Sequence, residues 1–192
     1  VAIDRVLDDL REGDFFEILC FGSDHSTLFG SGMPVSDTSL GIARDFVRVL
    51  DANMGGTETD AALTAAYALS TEIGGALAAA YAVSTKPGVT CDLLLITDGM
   101  IWNGEDVTLE ARRSNHRIFT IGVGSAVAEP FVQELAEATG GACELVSPRE
   151  DMAERIHRHF QRMYAPPAKS AMISWPGSTL RTLPETIETV YG

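Results

Sequence analysis

Apolar positions along this chain follow two rhythms, and their alternation predicts a succession of helices and strands. Ala2 to Leu10 carries Ile3, Val6, Leu7 and Leu10 at helical spacing. Glu12, Gly13 and Asp14 end that stripe. Phe15 to Phe21 (FFEILCF) reads as a strand, and Ser26 to Phe29 as a short second one beyond a Gly-Ser-Asp turn. Ser36, Asp37 and Ser39 offer N-caps for a helix reaching about Asn53, with Ile42, Phe46, Val49 and Leu50 on one face. An Ala-rich helical region follows Gly55-Gly56. Strand Asp92–Thr97 comes next, then a helix around Val107 to Ser114 and strand Ile118–Val123. A helix from roughly Ala128 to Thr139 is ended by Gly140 and Gly141. Strand Cys143–Val146 and a helix from Asp151 to Tyr164 complete the pattern. Strands separated by helices of about 10–15 residues imply right-handed crossovers. The expected fold class is α/β, with a doubly wound, mainly parallel sheet and helices on both faces.

The run LLLITDG, Leu93 to Gly99, stops an apolar strand at an aspartate. Without alternation, such a strand is expected to be buried on both faces and to present functional groups at its carboxyl end. Asp98 would then stand at the rim of a crevice. A bland alternative is an aspartate that caps the next turn. MGGTETD, Met54 to Asp60, adds a glycine turn, a hydroxyl and a helix start upstream.

The Ala-rich region holds a repeat. Thr57 to Thr71 and Thr71 to Thr85 match at about ten of fifteen positions, an offset of about fourteen residues. The first helix is expected to start near Asp60 and run to about Thr71. A break at Gly74-Gly75 is expected before a restart to about Ser84, because paired glycines weaken a helix by roughly 1–2 kcal/mol.

At Ala165-Pro166-Pro167 the pattern changes. Residues 1–164 are expected to form one domain, and residues 165–192 a linker and the start of a following β-rich module. Trp175 is assigned to that module's core. Val1 opens in what reads as mid-helix, so the chain is expected to be a fragment, and localisation is not read from it.

Composition narrows the function. The net charge of −13, with no basic run, argues against nucleic acid. No stretch has the length and apolarity of a membrane span. Cys20, Cys91 and Cys143 are far apart and odd in number, which suggests buried free thiols rather than zinc or redox work. Gly122-Val123-Gly124-Ser125 lacks the third glycine and the acidic partner of a dinucleotide loop. No GxSxG elbow is present. His157 and His159, two apart on a helix, read as surface residues. Trp102, after the aspartate loop, is a candidate partner contact, with a lid packed on the sheet edge as the alternative.

With GGT before a helix, LLLITDG ending one strand, IFTIGVGS ending the next and ATGG before the last, the chain resembles a von Willebrand factor A domain. In particular it is similar to the group found in inter-α-trypsin inhibitor heavy chains and their bacterial relatives. The resemblance runs from about Val1 to Tyr164. It implies a Mg²⁺ site at the top of the sheet, with Asp-x-Ser-x-Ser from a first loop, a Thr from a second and an Asp from a third. Thr57 matches the second-loop Thr and Asp98 the third-loop Asp. Thr71 is the rival to Thr57, which is preferred because Gly55-Gly56 supply φ > 0 freedom. Hydroxyl and carboxylate oxygens suit a hard cation. This chain has no Asp-x-Ser-x-Ser, so the first strand and its loop are expected to be missing and Mg²⁺ binding by Thr57 and Asp98 to be weak. The resemblance implies a non-enzymatic, Mg²⁺-assisted module for a protein partner of unknown identity. The alternative is a metal-free structural scaffold. A nucleotide-binding or hydrolytic enzyme is the third reading.

Overall fold

The computed structural model describes residues 2–23, 25–50, 61–68, 91–98, 104–124, 127–147 and 149–165. Along these, the chain runs α1 (Ala2–Asp9), β1 (Phe15–Phe16), β2 (Leu19–Phe21), β3 (His25–Thr27), β4 (Met33–Pro34) and α2 (Asp37–Val49). A helical segment, α3, covers residues 61–68. Then follow β5 (Asp92–Thr97), α4 (Gly104–Ser114), β6 (Arg117–Val123), α5 (Glu129–Thr139), β7 (Cys143–Val146) and α6 (Met152–Tyr164).

The three later strands form a parallel sheet in the order β5-β6-β7. β6 lies between its neighbours, and Ile118, Phe119, Thr120 and Ile121 are fully buried, as a strand covered on both faces requires. Alternate residues serve opposite faces. Leu93, Leu95 and Ile118 join Leu63 of α3, Val107 and Ala111 of α4, and Leu135 of α5 on one face. Leu94, Ile96, Ile121 and Val146 meet Ile156 of α6 and Ala2 and Val6 of α1 on the other. Burying each large aliphatic side chain contributes about 2 kcal/mol. The order β5-β6-β7 advances in one direction, and the reversal that makes a sheet doubly wound is not among the described strands.

The helix boundaries have local causes. Ser36 accepts from the Ser39 amide while the Ser39 hydroxyl accepts from the Ser36 amide, a reciprocal cap at the start of α2. Asp151 caps α6 by accepting from the Glu154 amide. Gly140, at φ 72°, ends α5 in the left-handed conformation that glycine adopts without a Cβ penalty. Inside the core the Thr120 hydroxyl donates to the Val132 carbonyl at 2.8 Å, tying β6 to α5.

The amino-terminal part departs from the expected pattern. FFEILCF is not one strand but two, in separate antiparallel pairs: β1 with β4, and β2 with β3. The break falls at Glu17, whose carboxylate turns back to accept the amides of Ile18, Phe29 and Gly32. The β5-β6-β7 sheet is parallel throughout, as expected, and the two antiparallel pairs are separate from it among the described residues. α2 also packs on a different face. Ser39 and Ala43 are buried, whereas Ile42, Val49 and Leu50 of the expected face are exposed. Ala43 packs with Leu7 of α1 and Phe16 of β1, and Leu40 lies against the same cluster. The three cysteines are free but half-buried rather than buried.

Residues 61–68 are helical, within the expected first helix, and its onset near Asp60 lies outside the described residues. The proposed break at Gly74-Gly75, the second copy of the repeat and residues 166–192 lie outside the described residues. No helix among the described residues is long and apolar enough to cross a membrane.

Candidate site at the carboxyl edge of the sheet

Strand β5 ends where its register with β6 ends. Thr97 is opposite Gly122 and buried, and Asp98, the next residue, is exposed. β5 is less buried than expected, with Leu95 and Thr97 buried and Leu93, Leu94 and Ile96 half-buried, and it delivers an exposed carboxylate to the rim of the sheet. Asp98 makes no hydrogen bond or ion pair among the described residues. The other predicted site residues, Thr57, Thr71 and Trp102, lie outside the described residues.

The glycines of the neighbouring strand end are explained by packing. A Cβ on Gly122 would lie 2.9 Å from Leu145 Cδ2 and 3.0 Å from Val127 Cγ2, so the loop after β6 folds against a position without a side chain. Gly124 adopts φ 97° as its amide donates to the Val146 carbonyl. The GVG motif thus closes the β6–β7 edge by packing.

A second carboxylate at the same edge escaped the sequence reading. Glu150 follows β7, accepts from the Ser147 amide at 2.9 Å and is bound by Arg155. Hydrogen bonds from Arg155 and Ser147 hold its carboxyl down at about 2. The signal was present: Ser147-Pro148-Arg149-Glu150 has the Ser-x-x-Glu spacing of a capping box. Glu150 is held by Ser147 and Arg155, whereas Asp98 makes no such bond among the described residues.

His159 corrects a second expectation. It is fully buried rather than at the surface, edge-on to Phe119 at 5.9 Å, with Nδ1 3.1 Å from Arg162 Nη1. Burial first, and then the Arg162 cation, bring its pKa down to about 4, so the ring is neutral near pH 7. His157 is half exposed, and its Nε2 lies 2.7 Å from Asp9 Oδ2, bridging α6 to α1.

Hydroxyl and carboxylate oxygens are the donor type that a hard cation takes, so Asp98 fits a Mg²⁺ site in kind. It does not complete one. No group of three or more His, Cys, Asp or Glu side chains able to hold a metal ion occurs among the described residues.

Comparison with known proteins agrees with this architecture. Residues 1–145 match the family model of the von Willebrand factor type A domain. The chain is similar to human von Willebrand factor A domain-containing protein 5A, 27% identical over 183 residues, covering 93% of this chain and 22% of that protein. A von Willebrand factor A domain-containing protein of Dictyostelium discoideum is 24% identical over 177 residues, covering 91% and 18%. This chain thus spans about a fifth of the length of those relatives. Among solved structures, a von Willebrand factor type A protein from Catenulispora acidiphila superposes with a TM-score of 0.65 at 19% identity, covering 84% of this chain and 36% of that one. By its matched residues and by its fold, this chain belongs to the von Willebrand factor type A domain family.

Proposed function

We propose that this domain is a non-enzymatic protein-binding module whose contact face is the carboxyl edge of the sheet. Asp98 supplies one oxygen ligand to a weakly held Mg²⁺ and Thr57 another. The observation that carries the reading is the exposed Asp98 carboxylate at the end of the parallel strand β5, which makes no hydrogen bond or ion pair among the described residues. Domains of this family are in the main protein-interaction modules. A Mg²⁺ ion bound there would offer open positions to a partner's carboxylate oxygen, since it demands six oxygens and dehydrates reluctantly. Trp102, close after Asp98 in sequence, would add an apolar contact. We read the wider fold as the doubly wound domain of the inter-α-trypsin inhibitor heavy-chain group, ending near Tyr164. Residues 165–192 would then lead into a further module.

Calorimetric titration with Mg²⁺ tests the site. Weak, saturable heat that is lost in Asp98→Ala supports it, and heat unchanged by that substitution rejects it. A metal-free scaffold is the second reading. It predicts partner binding that is the same in Mg²⁺ and in chelator.

A further inference from the structure

Three arginines of α6 converge on one carboxylate of β7. Arg155 Nη1 donates to Glu144 Oε1 at 2.5 Å, Arg158 Nη2 to the same oxygen at 3.3 Å, and Arg162 Nη1 to Oε2 at 3.1 Å. The Glu144 side chain is 10% exposed, whereas that of Arg158 is 55% exposed. Arg155 is also bound to Glu150. Three guanidiniums therefore meet two carboxylates, with Asp151 at the cap and Glu154 in the first turn of the same helix, and Arg158 is the most exposed of the three arginines.

Holding α6 against β7 does not call for all three. Arg155 and Arg162 take the two oxygens of Glu144 separately, and Arg158 adds a long contact to an oxygen already shared. A guanidinium has five N–H donors, and the Glu144 contact is the one that Arg158 makes among the described residues. Arg158 and Arg162 stand four residues apart on α6, so their Cβ atoms lie about 5–6 Å apart on one face. Two planar guanidiniums at that spacing can grip one carboxylate by charge-assisted hydrogen bonds. β7 is two strands from β5, about 10 Å across the sheet, so this flank is separate from the Asp98 edge.

We propose that the flank of α6 centred on Arg158 and Arg162 is a docking surface for an acidic segment of a protein partner. The segment's carboxylates would take the guanidinium donors that Glu144 leaves open. This surface is independent of the metal reading, so its test is run in chelator.

The probe is a fluorescein-labelled oligoglutamate peptide, followed by anisotropy at low ionic strength. The expected result is saturable binding that weakens as salt rises. Arg158→Glu and Arg158→Ala are each expected to weaken it about tenfold or more, the loss that one strong charge-assisted pair gives. Arg48→Glu makes the same charge change on α2, where Arg48 pairs with Asp45, and is expected to leave affinity within about twofold. Glu144→Gln, which removes the internal competitor, is expected to tighten binding. Absence of saturable binding would overturn the proposal. So would equal losses in Arg158→Glu and Arg48→Glu, because the peptide would then be sensing net charge alone.

Discussion

Gly141 sits so close to Ile118 that a Cβ on the glycine would lie 1.9 Å from the Ile118 carbonyl oxygen. The chain leaves α5 through Gly140 and must cross the end of β6 before it enters β7. The atom in the way is backbone, and Ile118 is fully buried in the parallel sheet, so neither side can yield by a rotamer change. Gly141→Ala is therefore expected to destabilise the domain by about 3 kcal/mol, at the upper end of overpacking costs. Urea denaturation measures this directly. A loss under about 0.5 kcal/mol would show that β6 and the α5–β7 connection move apart freely.

The buried His159 makes stability depend on pH on the acid side. Its pKa is lowered to about 4 in the fold from the ordinary 6.5. Between these values the unfolded chain binds the proton and the folded one does not, so stability falls as pH drops from 6.5 toward 4. Above 6.5 the group contributes no pH dependence. The full effect approaches about 3 kcal/mol. His116 is lowered by burial too, with the same sign. His159→Phe is expected to flatten the slope between pH 6.5 and 5, a window above the ordinary carboxylate range. Denaturation midpoints across that range check it, and a slope unchanged in the variant would place the effect elsewhere.

Glu17 is the organiser of the amino-terminal hairpins. Its carboxylate accepts from Phe29 at 2.8 Å and from Ile18 and Gly32 at 3.0 Å each. Glu17→Ala leaves three amides without this acceptor and is expected to cost about 2 kcal/mol, with water recovering part of the loss. Hydrogen exchange should quicken at Phe29 and Gly32 far more than at Ile121. Uniform quickening would mean that the hairpins and the sheet open as one unit.

The elements from residue 92 onward were readable because each rests on a local cause. The apolar run of β5, the glycines after α5 and the Asp151 cap each act over a few residues, and the strands at 92–97 and 143–146 match their expected bounds. What escaped depends on partners distant in sequence. Glu17 splits an apolar run because amides twelve and fifteen residues away need an acceptor. The buried face of α2 is set by α1 and β1, which admit Ala43 and leave Ile42 outside. His159 is buried because α6 presents it to Phe119, a fact of packing that helical spacing does not encode. Of the candidate site, LLLITDG gave Asp98 its place, because a parallel strand delivers its carboxyl end to the rim.

The central claim is that Asp98 makes the carboxyl edge a Mg²⁺-dependent contact surface. The most direct measurement is a Mg²⁺ titration followed by amide NMR shifts at Thr97, Asp98, Gly122 and Gly124, on the chain and on Asp98→Ala. The account predicts saturable shifts at these positions with midpoints on the order of millimolar, as few protein ligands give, and their loss in Asp98→Ala. Shifts that persist in Asp98→Ala, or an edge that does not respond to Mg²⁺ at all, would contradict it.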